Sequence, residues 1–172
     1  ADVLSGDVSP SGKLTATIAN RYSDYPTSGT SGGERIFGGE DFSNYVEDIY
    51  VGYRYFETFA KKAVMYPFGY GLSYTDFEIT VNKTTESDGL FTVDVSVKNT
   101  GSTYSGKEVV QVYYGAPQGK LGKAEKSLVA YAKTKSLAPG ESENIRLSFK
   151  IKDMASYDDA GVTGHKSAYV LE

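Results

Sequence analysis

Three clusters of carboxylates and a single histidine are the groups in this chain that could perform acid–base chemistry. Two carboxylates can serve as general acid and general base when both reach the same reacting group. Two of the clusters are adjacent pairs, and neighbouring residues of a strand point to opposite sides of a sheet. The third cluster lies beside a Gly-rich loop and is typical of surface charge. We therefore predict no catalytic residue among Glu34, Glu40, Asp41, Glu47, Asp48, Asp158 and Asp159.

The two adjacent pairs have different expected settings. Glu47 and Asp48 fall in a stretch that favours a strand, whereas Asp158 and Asp159 fall in a predicted turn, where Asp commonly caps the backbone. His165 is the only histidine, and cysteine is absent. A zinc-type metal site needs about four ligands, and a nucleophile needs a neighbouring base. We therefore predict no metal site and no cofactor, and we expect His165 in a loop or at an interface.

Tyrosine and glycine alternate in the segment that runs from residue 66 to residue 75, and the stretch 49–56 is also rich in tyrosine. A tyrosine side chain has a large apolar face and a polar tip. Interleaved glycines let one backbone approach another closely. The pattern therefore indicates a connector that is buried between two surfaces, which suggests a piece of a larger protein.

The composition limits the class of protein. The chain has 172 residues, of which 40% are apolar and 23% are charged, which is enough for one domain or one domain plus part of another. The net charge is −4, and the basic residues are scattered, so nucleic acid is a poor partner. No apolar run approaches the roughly 20 residues of a membrane helix, so we expect no membrane partner. Because cysteine is absent, the composition is compatible with a reducing compartment. We expect a cytoplasmic location, and the alternative is secretion.

The first 59 residues favour loops with a few short elements. Residues 1–4 are typical of the end of a helix, which Gly6 would terminate. Residues 13–18 alternate and predict a short strand. Residues 26–33 are almost entirely Thr, Ser and Gly, which favours an exposed loop. The stretch 41–59 combines helical spacing with strand-like composition, and we predict an extended piece that leads into a short helical turn at 53–59.

From Tyr74 onward the pattern is typical of β-strands. Short alternating segments are separated by turn signals such as Asn99–Ser102 and Pro139–Glu141. This spacing predicts an antiparallel β-sandwich. The predicted strands begin at Phe77 and continue through 90–98, 108–114, 128–132, 143–151, 154–157 and 166–171.

Several motifs, in one order, resemble glycoside hydrolase family 3. Residues 7–14 are similar to the closing region of the α/β domain of that family, and residues 45–56 and 66–74 look like the connector that follows it. Residues 97–101 and 106–113 resemble the start of its fibronectin type III-like domain. The match continues through 126–128, 137–141 and 157–159 and covers nearly the whole chain.

The resemblance implies a mainly β fold and a division into three parts. Residues 1–40 would be the C-terminal remnant of an α/β domain, 41–75 a Tyr/Gly-rich connector, and 76–172 a fibronectin type III/immunoglobulin-like β-sandwich whose last strand is missing. The ending of the chain looks more like a subgroup in which the (β/α)8 barrel follows this region.

The resemblance also implies a β-glucosidase-type enzyme that hydrolyses with retention, which requires two carboxylates about 5–5.5 Å apart. The family carries its nucleophilic Asp on the barrel and its acid/base Glu upstream of Ala1, so neither has a counterpart here. We expect a non-catalytic, structural region of a bacterial enzyme that is inactive alone. Its candidates for contact with a sugar are Tyr53, Arg54 and Tyr55. For the tyrosines the alternative is interdomain burial, and for Arg54 it is an interdomain ion pair.

The expected partners are the catalytic domains of the same enzyme, a second copy of the chain and carbohydrate. A sandwich without its last strand leaves an unpaired edge, and such an edge invites homodimerisation. The alternative functions are a carbohydrate-binding module and a stand-alone interaction module. A carbohydrate-binding module would need exposed aromatic side chains on one sandwich face, for which the candidates are Tyr104, Tyr113, Tyr114 and Tyr131.

Overall fold

The computed structural model describes residues 1–28 and 46–172. Two short helices, α1 (Asp2–Ser5) and α2 (Tyr53–Phe59), lie in the first part of the chain, and 3-10 turns occur at Tyr22–Asp24, Lys61–Ala63 and Ile151–Met154. The strands are β1 (Ile18–Ala19), β2 (Val64–Tyr66), β3 (Phe77–Ser87), β4 (Leu90–Asn99), β5 (Val109–Tyr114), β6 (Ser127–Lys133), β7 (Ser142–Lys150), β8 (Ser156–Asp158) and β9 (Ala168–Val170).

An antiparallel sheet with the order β3-β4-β7 supplies most of the core. Alternate residues of β4, namely Val93, Val95 and Val97, are buried, and Leu147 and Phe149 of β7 are buried beside them. The period of two in the sequence produces this face because successive side chains of a strand point to opposite sides. The predicted alternation of β4 and β7 is confirmed.

A second antiparallel sheet, β5-β6, covers that face. Val110 of β5 is buried in the same apolar cluster, with Val112, Ala130 and Ala132 packed against it. Leu137 is fully buried and joins the cluster through an isolated bridge to Gly106. The mainly β, sandwich fold predicted from the sequence is confirmed.

A buried amide joins the connector to the sandwich. Asn99 ends β4 and is fully buried. Its Oδ1 accepts hydrogen bonds from Thr75 Oγ1 and from the N–H of Gly101. Its Nδ2 donates to the carbonyls of Tyr104 and Leu137, both at 2.9 Å. All four hydrogen-bonding positions of the side chain are therefore used, and Thr75 is the point at which the connector meets the core.

Asp158 fixes the hairpin of β8 and β9. It is fully buried, and its carboxylate accepts hydrogen bonds from the N–H groups of Gly161, Val162 and Thr163 and from the Thr163 hydroxyl. Burial by itself would raise the pKa of Asp158, but these hydrogen bonds lower it to about 2. The predicted turn-capping role is confirmed for Asp158, while Asp159 is exposed.

The N-terminal part contains both a confirmed and a wrong prediction. Helix α1 ends at Gly6, whose φ of 86° is left-handed, as the sequence predicts. The predicted strand at 13–18 is wrong except at its last residue, because β1 pairs with β2 only through Ile18–Ala19. Leu14 is nevertheless tied to the connector: its N–H donates to the carbonyl of Tyr70 at 2.7 Å, and its carbonyl accepts from Gly69 at 2.8 Å.

The helical turn predicted at 53–59 is confirmed as α2, but the extended piece before it is wrong. Residues 46–49 form a turn in which the carbonyl of Glu47 accepts from the N–H of Tyr50 at 2.8 Å. Asp48 has a φ of 49°, which is outside the strand region. Glu47 and Asp48 therefore do not lie on a strand. Glu34, Glu40 and Asp41 lie outside the described residues, and among the described helices none is long and apolar enough to cross a membrane.

Replacement of Asn99 by Ala should lower the free energy of unfolding by about 3 kcal/mol, because it leaves several buried partners without a hydrogen bond. Denaturant unfolding monitored by circular dichroism measures the change. Asn144→Ala, at an exposed position of β7, is the matched control and should stay within about 0.5 kcal/mol of the parent chain. Equal effects of the two substitutions would contradict the role of Asn99.

Asp158 should make the free energy of unfolding of the chain depend on pH in acidic solution. Because its folded pKa of about 2 lies below the ordinary value of 3.8, its contribution is complete above about pH 4 and is lost as the pH falls toward about 2. Asp158→Asn should flatten this part of a plot of unfolding free energy against pH, whereas Asp159→Asn should not. Part of the slope should remain, since hydrogen bonds from Lys123 and from backbone N–H groups also lower the pKa of Glu172 to about 2.

Candidate functional site

The candidate functional site is the contact between the connector and the outer face of the β5-β6 sheet, which we call the connector interface. Tyr53, the first residue of α2, lies at its centre. The ring of Tyr53 packs 5.0 Å from that of Phe68 and 5.7 Å from that of Tyr113. Its hydroxyl accepts a hydrogen bond of 2.8 Å from the N–H of Leu128. One tyrosine therefore joins the helix, the connector and β6.

Polar groups extend the connector interface along α2. The hydroxyl of Thr58 donates to the carbonyl of Arg54 at 2.6 Å and accepts from the N–H of Glu125 at 3.0 Å. Glu57 pairs with Lys126 at 2.9 Å. Since the side chains of Glu57 and Lys126 are 27% and 40% exposed, this ion pair contributes at most about 1 kcal/mol and acts mainly on orientation.

The side chain of Tyr113 is partly buried in the connector interface. Burial, and then the neighbouring Tyr53 and Glu57, raise the pKa of the Tyr113 hydroxyl to about 12. That hydroxyl donates to Gln111 Oε1 at 3.0 Å, and the ammonium of Lys126 lies 5.2 Å from the ring centre. The outer face of β5 is therefore partly covered at Tyr113 by the connector.

Two glycines of the connector are required by close contact. A Cβ atom at Gly69 would lie 2.6 Å from Gln111 Oε1, and the φ of Gly69 is +83°. A Cβ atom at Gly71 would lie 2.2 Å from the carbonyl oxygen of Gly12, which belongs to the backbone and cannot rotate away. Only glycine permits these approaches, so the Tyr-Gly alternation is explained by packing.

The N-terminal segment is tied to both of the other parts. Lys13 pairs with Glu108 at 2.6 Å, and both side chains are mostly buried. Lys133 Nζ donates to the carbonyl of Ser11 at 2.7 Å. The hydroxyl of Tyr74 donates to the carbonyl of Val3 at 2.6 Å. Segment, connector and sandwich thus meet in one set of contacts.

The three residues that the sequence singles out as sugar candidates have different surroundings. Tyr53 is part of the connector interface, whereas Tyr55 packs edge-on against Phe56 at 5.3 Å and at a tilt against Phe59 at 5.7 Å. The guanidinium of Arg54 lies 5.9 Å from the ring centre of Tyr53, and its buried Nε has no hydrogen-bond partner among the described residues. Their contact with a sugar stays a prediction.

The aromatic side chains proposed for a carbohydrate-binding face have different surroundings. Tyr113 is in the connector interface, and the hydroxyl of Tyr114 donates to the carbonyl of Met154 at 3.4 Å. Tyr131 is 70% exposed on β6, and Tyr104 packs 5.5 Å from Tyr74. Across the parts of the chain that the structure describes, no group of three or more acidic or histidine side chains could hold a metal ion.

The sequence analysis did not identify the polar residues that join the connector to the sandwich, above all Asn99, Thr75 and Thr58. A signal for Asn99 was present, because it continues the inward alternation of β4. A polar residue at an inward position needs hydrogen-bond partners. Thr58 gave no comparable signal, since the contact that ties it to the sandwich is with Glu125, which is distant in sequence.

Comparison with known proteins places the two parts of the chain in one family. The model described as the glycosyl hydrolase family 3 C-terminal domain matches residues 1–74. The model described as a fibronectin type III-like domain matches residues 108–169. The whole chain is 51% identical to a β-glucosidase of Ruminococcus albus and 47% identical to β-glucosidase A of Butyrivibrio fibrisolvens. It spans only 17% and 22% of their lengths.

Solved structures give the same result. The structure of a β-glucosidase from Paenibacillus barengoltzii superimposes on the whole chain with a TM-score of 0.91 at 56% identity, and the chain spans 18% of that protein. The β-glucosidase of Kluyveromyces marxianus superimposes on 99% of the chain with a TM-score of 0.86 at 35% identity, and the chain spans 19% of it. The chain therefore belongs to glycosyl hydrolase family 3, as a non-catalytic region in which the C-terminal domain sequence of that family is followed by a fibronectin type III-like domain.

Proposed function

We propose that this region belongs to a retaining β-glucosidase-type enzyme and that its role is structural. The connector interface holds the fibronectin type III-like sandwich against the α/β domain, whose end is formed by residues 1–40. Residues 41–75 are the connector and residues 76–172 are the sandwich. The names of the relatives support the activity, and the packing of Tyr53 between Phe68 and Tyr113 carries the structural role.

The physical reason for such a region lies in the precision of the chemistry. A retaining glycosidase needs two carboxylates about 5–5.5 Å apart, and misplacement by about 1 Å can reduce the rate about 100-fold. A rigid joint at the border of a carboxylate-bearing domain limits such movements. The close approaches at Gly69 and Gly71 and the buried hydrogen bonds of Asn99 make the joint rigid.

Gly71→Ala tests the proposal. The new Cβ meets the carbonyl of Gly12, and the overpacking should cost about 1–3 kcal/mol. In the full-length enzyme that carries this region, the melting temperature and the turnover of an aryl β-glucoside should fall together. The 172-residue chain alone should lose stability and should hydrolyse nothing, either before or after the substitution.

Gly12→Ala is the matched control, because a Cβ atom there meets nothing within 4 Å. It should leave both the melting temperature and the turnover unchanged. The structural role is rejected when Gly71→Ala destabilises the chain but leaves the activity of the full-length enzyme intact at every temperature below its melting point.

We propose that the sandwich also associates with a second copy of the chain. Within the described residues β5 pairs only with β6, so one of its edges is open. On β3, Ile79 and Val81 face the core side, opposite Val97 and Val95, yet they are 47% and 59% exposed. An open strand edge favours the addition of a strand from a second copy. The exposed apolar side chains on the core side of β3 favour the same association, because a second copy would bury them.

Light scattering across a wide range of protein concentrations measures this association. We expect a dimer of the 172-residue chain that dissociates on dilution. Val81→Lys should shift the equilibrium toward monomer, because it places a charge among the exposed apolar side chains on the core side of β3. Thr80→Lys, which points to the opposite face of the same strand, should not. A monomer at all concentrations contradicts the proposal.

A further inference from the structure

A polar cleft lies where the N-terminal segment meets the sandwich, away from the connector interface. Its volume is about 500 Å³, which is within the range of about 300–1,000 Å³ that is typical of small-molecule sites. One wall carries Asp7 and Ser11, and the other carries Tyr104, Ser105, Lys107 and Ser136. A ligand in this cleft would contact both parts of the chain at once.

The lining of the cleft offers hydrogen-bonding groups at little cost to the fold. The side chains of Ser105, Lys107 and Ser136 are exposed to solvent. They can therefore bind a ligand without breaking an interior contact. Hydroxyl groups both donate and accept, while an ammonium only donates and a carboxylate only accepts. The set is therefore matched to a ligand that is itself rich in hydroxyl groups.

Tyr104 gives the cleft a fixed aromatic wall. Its ring is 38% exposed and packs 5.5 Å from the ring of Tyr74. Its carbonyl accepts a hydrogen bond of 2.9 Å from the buried amide of Asn99. Because backbone and ring are both held, Tyr104 loses little freedom when a ligand packs against it. An apolar face beside polar groups suits a sugar ring, which has both kinds of surface.

Charge decides between classes of ligand. The lining residues include one carboxylate, Asp7, and one ammonium, Lys107, while the nearby ammonium of Lys133 is already bound to Ser11. A phosphate or another anion would be repelled by the carboxylate, and a cation would be repelled by the ammonium. A neutral polyhydroxylated molecule can hydrogen-bond to both groups. The volume is sufficient for one or two sugar rings.

We propose that this cleft is a carbohydrate subsite that binds a neutral mono- or disaccharide across the junction of the N-terminal segment and the sandwich. The cleft lining carries a single carboxylate, Asp7, and retaining hydrolysis needs two, so these residues hold an occupant without cleaving it. The choice of a glucose-containing sugar such as cellobiose rests on the proposed β-glucosidase-type function. The existence of the subsite rests on the cleft alone.

Titration of the 15N-labelled 172-residue chain with cellobiose tests the subsite by NMR. We expect amide shifts that cluster at Tyr104, Ser105 and Lys107 and saturate with a Kd of about 1–10 mM, which is typical of one or two sugar rings on a surface. Tyr104→Ala should weaken binding about tenfold. Tyr131→Ala, at an exposed tyrosine of β6 that does not line the cleft, should leave the Kd unchanged.

Two further arms make the result decisive. Lys107→Met removes a ligand-binding group from an exposed position without touching the packing of Tyr74 and Tyr104, so it should weaken binding even if Tyr104→Ala disturbs the fold. Glycerol at the same concentration should not reproduce the shifts. The absence of clustered shifts at about 50 mM cellobiose, or an equal loss of binding in Tyr131→Ala, overturns the subsite.

The same titration separates the subsite from the proposed function. Binding of a mannose disaccharide as tightly as cellobiose supports the cleft but removes its link to a β-glucosidase. Failure of every neutral sugar to bind overturns the cleft and leaves the structural role of the connector interface, which is measured by activity and melting temperature, standing.

Discussion

The buried amide of Asn99 is the constraint on which the joint between connector and sandwich depends. A fully buried amide without partners would cost several kcal/mol, so the chain must bring four groups to it at once. Those groups belong to the end of the connector, to the turn after β4, to the loop that carries Tyr104 and to the strand-like bridge of Leu137. Because the partners come from the connector, from the loop after β4 and from the segment of Leu137, satisfying the amide fixes where those three segments lie relative to one another.

Away from Asn99, the connector is held by interactions of a different kind. Around Tyr53 the contacts are aromatic rings and close glycine approaches, which depend on shape, and the charged pairs lie at the rim. The rim pairs are half exposed, as for Lys61 and Glu125 at 54% each, and contribute little to stability. Packing therefore supplies the energy of the interface and the ion pairs supply its orientation. Such a division suits a joint that must stay in one arrangement without being the most stable part of the molecule.

The sequence predicts the strands far better than it predicts the joint. Alternation in β4 and β7 gives the buried face directly, because a strand has a period of two whatever it packs against. Alternation does not reveal what lies over the outer face. Tyr113 therefore looks like an exposed aromatic in the sequence, although the connector covers it. Likewise, Leu14 makes strand-like hydrogen bonds with residues 69–70, but a single pair leaves no periodic signal. Contacts between distant segments, such as Gly12 with Gly71, have no local pattern at all.

Asn99 also connects the connector to the polar cleft, since its amide oxygen accepts a hydrogen bond from the hydroxyl of Thr75 and its amide nitrogen donates to the carbonyl of Tyr104. Any ligand that binds only the folded arrangement of the cleft stabilises that arrangement by RT ln(1 + [L]/Kd), which is about 2.7 kcal/mol at 100 times Kd. Conversely, a substitution that loosens the amide lowers the apparent affinity of the cleft only by the fraction of chains that leave the folded arrangement. The connector and the cleft are therefore linked through the hydrogen bonds of one buried side chain.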